Sequence, residues 1–111
     1  MTVTVRVLIP AKIAEATQVT QYTATGVTTI IDKFTATNYS ASAATISVNL
    51  VTAADTAGNQ NLITKTKTLQ PAEVYTFPEL VGQVLMASGF ISTIAGTATS
   101  INIRASGREV S

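Results

Sequence analysis

The chain contains no cysteine, no histidine and no tryptophan. Without cysteine it has no disulfide framework, iron–sulfur cluster or thiolate zinc site. Without histidine it lacks the commonest general base and any Ser-His-Asp or Cys-His arrangement. Its carboxylates share no motif spacing, and it has no tryptophan platform of the kind that glycosidases need. We therefore predict that the protein is not an enzyme and holds no cofactor or metal.

Charge is also scarce. Charged residues make up 12% of the chain and the net charge is +1, whereas about 25% is usual for soluble domains. A nucleic-acid partner calls for a basic stripe and a high pI, so we expect no nucleic-acid partner. Thr, Ser, Asn and Gln must supply most of the polar surface. Because weakly charged surfaces associate readily, we expect the protein to work inside an assembly.

Long apolar runs are missing as well. No stretch approaches the ~20 apolar residues of a membrane-spanning helix, so we expect no membrane partner. The N-terminus alternates Thr and Val and lacks a signal peptide's continuous apolar region. The length of 111 residues suggests a single domain.

The dominant positive signal is a period of two. In residues 44–53, Ile46, Val48 and Leu50 fall on one side and polar residues on the other. A loop rich in turn-forming residues follows, and residues 62–69 alternate again. This pattern predicts two half-buried strands that form a central hairpin.

The same alternation recurs along the whole chain. The predicted strands are residues 2–9, 17–24, 28–38, 44–53, 62–69, 74–77, 90–95 and 97–105. The last two are expected to form a hairpin around Gly96, followed by a polar tail at residues 106–109. About eight short strands with glycine-bearing turns predict a single all-β domain, an antiparallel β-sandwich that is jelly-roll-like.

Three stretches leave alternatives open. Residues 1–24 are either an N-terminal arm or an edge strand, which pairs inside its own sheet or adds to a neighbour, and Pro10 is expected to end the first strand. In residues 28–38, Ile30, Phe34 and Ala36 are expected on the core side, with Asp32 as a local conflict. Residues 78–86 are expected to form one helical turn and then a strand.

Two weak signals have a plain structural alternative. The loop at residues 55–61 faintly resembles a calcium loop, but it carries one carboxylate where calcium usually takes several. A hairpin loop is the simpler interpretation. Lys65 and Lys67 alternate on one strand, near Lys33 if the neighbouring strands align. They form either a patch for an acidic partner or, more commonly, protection of a strand edge.

From Thr28 to Val110 the chain resembles a family of small tailed-phage virion proteins, the capsid decoration (cement or staple) proteins of short-tailed phages. The motifs that carry the resemblance are Ala36-Thr37-Asn38, Leu69-Gln70-Pro71-Ala72-Glu73, Pro78-Glu79-Leu80-Val81-Gly82 and Ser106-Gly107-Arg108-Glu109. The resemblance implies a jelly-roll-like sandwich on the outer surface of the virion capsid. There it would staple neighbouring capsomers by binding the major capsid protein, as a homo-oligomer such as a dimer.

Interfaces are expected at the N-terminal strand and at two loops, because termini and loop tips commonly carry binding residues. The predicted interface residues are Val3, Val5, Val7, Asn38, Tyr39, Ser40, Asp55, Asn59 and Asn61. The alternative function is a tail, collar or fibre module that binds a neighbouring virion protein or a cell-surface glycan. For a glycan, Tyr39 beside Asn38 is the candidate site.

Overall fold

The structure, a computed structural model, describes residues 1–111 and consists of nine strands in two antiparallel sheets. The strands are β1 (Val3–Ile13), β2 (Val19–Thr23), β3 (Thr28–Asn38), β4 (Ala44–Val51), β5 (Leu62–Leu69), β6 (Val74–Tyr75), β7 (Val84–Leu85), β8 (Phe90–Ala95) and β9 (Ile101–Val110). A short 3₁₀ turn at Asn59–Asn61 precedes β5. None of the helical segments has the length and apolarity needed to cross a bilayer.

The strand order is that of a jelly roll. The first sheet runs β1-β9-β3-β6, with β7 also paired to β3, and the second runs β2-β8-β4-β5. The chain therefore passes repeatedly from one sheet to the other, which is how two Greek keys build a double-sheet jelly roll. The predicted all-β sandwich is confirmed.

The core lies between the two sheets and is made of aliphatic and aromatic side chains. The rings of Phe34 and Phe77 meet edge to face at 4.7 Å between centroids. The cluster contains 19 buried residues. It draws on the inward faces of both sheets, for example Ile46 and Ile91 in the second and Ile101 and Ile103 in the first. In β9, Ile101, Ile103 and Ala105 alternate toward the core.

The predicted final hairpin around Gly96 is wrong. β8 belongs to the second sheet and β9 to the first, so the chain crosses the sandwich between them. The predicted polar tail at residues 106–109 is also wrong, because these residues continue β9 and pair with both β1 and β3. Local polarity misled the prediction: Ser106 and Arg108 take the outward positions of a strand whose inward positions hold Gly107 and Glu109.

β1 continues past Pro10, so the expectation that proline ends this strand is wrong. β1 is the edge strand of its sheet and pairs only with β9. Its register shifts between Val7 and Ile9 and again between Ile9 and Lys12. Proline is tolerated at edges and bulges because no ladder hydrogen bond needs its missing N–H. Pairing of the N-terminal strand within its own sheet, one of the two alternatives, is confirmed.

A β-bulge at Asp32 resolves the local conflict in β3. The register with β9 shifts between Ile31 and Lys33, so Asp32 is the extra residue. The bulge reverses the alternation: Ile31 and Phe34 both point into the core, whereas Ile30 is half-buried and Asp32 exposed. The inward assignments of Phe34 and Ala36 are confirmed, and that of Ile30 is wrong.

The central hairpin of β4 and β5 is confirmed, but β5 also carries an irregularity. Thr66 has a positive φ of 50° and lies where the register with β4 shifts. Thr64 is therefore buried and Lys65 exposed before this bulge, and Lys67 is half-buried after it. Lys33 lies in the other sheet, so the expected pairing that would bring it near these lysines is wrong.

The segment after β5 contains tight turns and no helix. Residues 70–73 form a turn, closed by the hydrogen bond from Glu73 N–H to the Gln70 carbonyl. Ala72 takes the position with positive φ, 66°, that gives a type II turn. The helical turn expected near Leu80 is a non-helical turn, from which the chain enters the short β7.

Candidate interaction surface

Three neighbouring valines on β1 are uncovered. Val3, Val5 and Val7 are 51%, 83% and 46% exposed. Their cross-strand partners on β9 are Val110, Arg108 and Ser106. Paired residues share a face of a sheet, and Arg108 points outward to Asp32, so the valines line the outer face of the first sheet. Adjacent exposed valines of this kind indicate a binding surface more strongly than scattered ones.

The backbone of β1 also has a free edge. Thr2 and Ser111 exchange both N–H···O=C bonds at 2.9 Å, which makes them a hydrogen-bonded pair. Antiparallel ladders alternate hydrogen-bonded and non-hydrogen-bonded pairs, so the N–H and C=O groups of Val3, Val5 and Val7 point away from β9. Since β1 has no other partner strand, these groups are available to a further strand.

The exposed face extends across the sheet from β1. Val5 lies in register with Arg108, which lies in register with Ile30, and Ile30 pairs with Val84. The Arg108 guanidinium donates to the Asp32 carboxylate at 2.9–3.3 Å, which lowers the pKa of Asp32. The ion pair leaves little net charge in this row. This row of the outer face, from Val5 through Ile30 to Val84, is therefore an apolar strip crossed by one neutralised ion pair.

In the loop at residues 38–43, two of the three predicted interface residues are hydrogen-bonded within the fold. The Asn38 side chain is buried and donates to the Leu69 and Ser42 carbonyls, both at 2.9 Å. Its amide oxygen accepts from the N–H and hydroxyl of Ser40. Asn38 and Ser40 are thus used to shape the loop. Tyr39 is 49% exposed and remains accessible to a partner.

The loop at residues 55–61 is likewise closed on itself. Asn61 donates to the Thr56 carbonyl and accepts from the side chain of Asn49 on β4. Asp55 accepts from the Thr56 N–H, which is the main cause of its lowered pKa. Asp55 and Asn59 are exposed at the loop surface. No three acidic residues come together here or elsewhere to hold a metal ion.

A shallow groove of about 270 Å³ was not predicted. It lies between the end of β4 and the segment around β7, and its apolar lining includes Leu50, Val51, Ile63, Val84, Leu85 and Met86. Val84 is shared with the apolar strip of the outer face. Residues 78–86 show no clear period in the sequence, so no sequence signal marked Val84 or Met86 as exposed.

One carboxylate cluster ties β1, β9 and β2 together. Glu109 accepts from the Tyr22 hydroxyl and from Arg6 Nε, the latter at 2.8 Å. These hydrogen bonds lower the pKa of Glu109. Burial, with the hydrogen bond to Glu109, raises the pKa of Tyr22 to about 12. Tyr22 also hydrogen-bonds Thr29, at 2.6 Å, so the cluster bridges the two sheets.

A second cluster closes the opposite side of the sandwich. Glu79 accepts from the hydroxyls of Thr64 and Tyr75. Burial opposes ionisation of Glu79, but the hydrogen bonds from Thr64 and Tyr75, with a smaller contribution from the charge of Lys67, together lower its pKa. The bond to Glu79 raises the pKa of Tyr75 to about 12, and Lys67 Nζ lies 4.8 Å from the centre of the Tyr75 ring. Both clusters join the two sheets, and the carboxylates of Glu79 and Glu109 are each hydrogen-bonded within the fold.

Comparison of the chain with protein-family models, with curated proteins and with solved structures finds no match.

Proposed function

We propose that this protein is a structural component of a virion that decorates the outer capsid shell and staples it by binding the major capsid protein. The observation that carries the proposal is the uncovered valine strip on β1 of a jelly-roll sandwich. Jelly rolls are a recurrent architecture of capsid and lectin domains. Fold alone does not assign a function, so the proposal rests on the strip together with the sequence resemblance.

The chemistry of the surface supports a binding role. The carboxylates Glu79 and Glu109 and the amides of Asn38 and Asn61 are engaged in hydrogen bonds within the fold. On the outer face of β1, the uncovered groups are the side chains of Val3, Val5 and Val7 and the backbone groups of the free edge, which suit a protein partner. A shell presents many copies of that partner, so individually weak contacts add up through multivalency.

The glycan-binding alternative gains no specific support. It placed a sugar against Tyr39 with the amide of Asn38 as its polar anchor. That amide is buried, with both its oxygen and its nitrogen already bonded within the loop. Tyr39 would therefore stack on a sugar ring without the Asn38 amide to orient it.

The test uses purified phage shells from which the protein has been removed. Adding the protein back should saturate sites on the shell and raise the temperature at which the shells rupture. Replacing Val3, Val5 and Val7 together with Thr keeps β-branched side chains but removes apolar surface. This variant should bind the shells at least about tenfold more weakly, as expected when roughly 1.4 kcal/mol of contact is lost.

Val74→Thr is the matched control. Val74 is also an exposed valine and lies on β6, at the opposite edge of the same sheet. Its replacement should leave binding unchanged. Failure of the unaltered protein to bind shells, or an unchanged rupture temperature at full occupancy, would overturn stapling. Equal binding by the triple variant would move the contact away from β1.

A further inference from the structure

The free edges of this sandwich differ in how they resist pairing with another chain. β5, an edge of the second sheet, carries the exposed Lys65 and the bulge at Thr66. β2, the other edge of that sheet, has a register shift between Thr20 and Tyr22. β6 and β7 contain two residues each. Lysines, bulges and short length are the usual means by which edges avoid pairing.

β1 has none of these features over its first five residues. Val3 to Val7 pair with β9 without a register shift, and the outward backbone groups belong to Val3, Val5 and Val7, as derived above. The one charge, Arg6, lies on the inner face and is bonded to Glu109. The bulge after Val7 and the missing N–H of Pro10 then end the available edge.

We propose that β1 pairs with β1 of a second copy of this chain, antiparallel, about a two-fold axis at Val5. The stretch Val3-Thr4-Val5-Arg6-Val7 is self-complementary in this register. Val5 meets its own copy, and Val3 meets Val7 of the second copy. Each of these is a hydrogen-bonded pair, because the N–H and C=O groups of Val3, Val5 and Val7 all point away from β9 and toward the second copy. The valine side chains meet one another on the outer face, where β-branched pairs favour strand pairing.

Charge supports this register over a neighbouring one. On the inner face Arg6 lies opposite Thr4 of the second copy, so no like charges face each other. An axis shifted to Arg6 would place two guanidinium groups directly opposite, which is destabilising. A two-fold axis with the same strand on both sides is also the commonest symmetry of protein dimers.

The pairing would merge the first sheets of two copies into one continuous sheet. It would also bring the valines of both copies together in a single apolar patch on one face. This inference does not depend on a capsid partner, because it uses only the chain itself. A dimer could therefore form even if the proposed function failed, and the shell could be bound by monomers if this inference failed.

Cysteine cross-linking tests the register, because the chain has no cysteine of its own. In a hydrogen-bonded pair the Cα atoms lie about 5.5 Å apart, within the usual range for a disulfide. Val5→Cys should therefore form a covalent dimer under mild oxidation. Val3→Cys or Val7→Cys alone should not, since each is offset from its own copy by about 13 Å along the strands. A mixture of these two variants should cross-link.

Val74→Cys, at an exposed valine outside the proposed interface, measures random collision. Cross-linking of Val5→Cys no faster than this control would overturn the proposal. So would efficient cross-linking of Val3→Cys alone, which requires a different register.

Sedimentation of the cysteine-free protein provides the second, independent readout. The unaltered chain should form a dimer as its concentration rises. Val5→Pro removes an N–H that points away from β9, so the fold should be retained while the dimer is lost. Val5→Thr keeps that N–H and should keep the dimer. A monomer at every concentration, or a dimer that Val5→Pro leaves intact in a folded protein, would overturn the proposal.

Discussion

Replacing Asn38 with Ala should destabilise the fold strongly, although Asn38 lies where a loop begins. Its amide donates to the Leu69 and Ser42 carbonyls and accepts from Ser40, and its side chain is fully buried. Loss of the partner of a buried polar group costs about 1–3 kcal/mol, and each partly exposed bond about 1 kcal/mol. The sum is about 3–5 kcal/mol, with a lower bound of ~3 kcal/mol.

Urea denaturation provides the measurement. With a slope of about 1.5 kcal/mol/M, a loss of ~3 kcal/mol lowers the midpoint by about 2 M at unchanged slope. In a thermal scan the same loss corresponds to about 10–20 °C. Ser40→Ala is the control, since its hydroxyl bonds only Asn38 and the Ser42 carbonyl within the same loop, and it should cost about 1 kcal/mol or less. A change below about 1 kcal/mol for Asn38→Ala would refute the reasoning.

Asn38→Asp separates hydrogen bonding from packing, because the two side chains have nearly the same shape. The new carboxylate would face the Ser42 and Leu69 carbonyls, so its ionised form is disfavoured and its pKa in the folded state should be raised. A raised folded-state pKa means that stability is present at low pH and is lost as pH rises through it. Relative to the unaltered protein, this variant should therefore be least stable at neutral pH. A pH-independent deficit would contradict this account.

Three further outcomes can be checked by unfolding experiments. Gly107→Ala should destabilise by several kcal/mol, because its Cβ would lie 2.1 Å from the Ile30 carbonyl oxygen; a fully stable variant would show that β3 and β9 can separate. Raising the pH from 10 to about 12 should remove stability, since the pKa of Tyr22 is raised from 10.0 to about 12 in the fold, and Tyr22→Phe should lose less over that range. Acidification should also destabilise the protein as Glu109, whose pKa is lowered, takes up its proton. If Glu109→Gln leaves the acid transition unchanged, that transition is caused by other titrating groups.

The sequence predicted strands well where alternation is strict and failed where the backbone breaks it. The predicted bounds of β3 and β5 agree with the structure. The faces reverse at Asp32 and Thr66, because each bulge adds one residue that no period-two pattern can reveal. Sheet membership is non-local, so Gly96 looked like the centre of a hairpin even though the strands on either side belong to different sheets.

The candidate site was predicted in part for the same reason. The side chains of Val3, Val5 and Val7 are exposed because they lie on the outer face of the first sheet, and their backbone groups are free because β1 is an edge strand. Both are properties of the topology, which the sequence could suggest but not determine. Asn38 and Asn61 are predicted interface residues because they lie in loops, where binding residues are common. In the structure Asn38 is buried and Asn61 half-buried, because other segments bring them hydrogen-bond partners, the Leu69 carbonyl and the Asn49 side chain respectively. A polar loop that is open to solvent and a polar loop that is closed by internal hydrogen bonds have similar sequences.

The polar side chains inside the sandwich are all hydrogen-bonded. This makes the exposed valines of β1 hard to explain by the needs of folding alone. Every buried side-chain nitrogen and oxygen has a hydrogen-bond partner, including the buried residues Thr29, Asn49 and Thr64. A chain that meets this demand throughout its interior could place Thr at Val3, Val5 and Val7 at little cost to its own stability, because those side chains face solvent. Apolar side chains beside unpaired backbone groups invite association. Their presence on an edge segment, Val3–Val7, that has no lysine and no bulge is best explained by a partner that covers them.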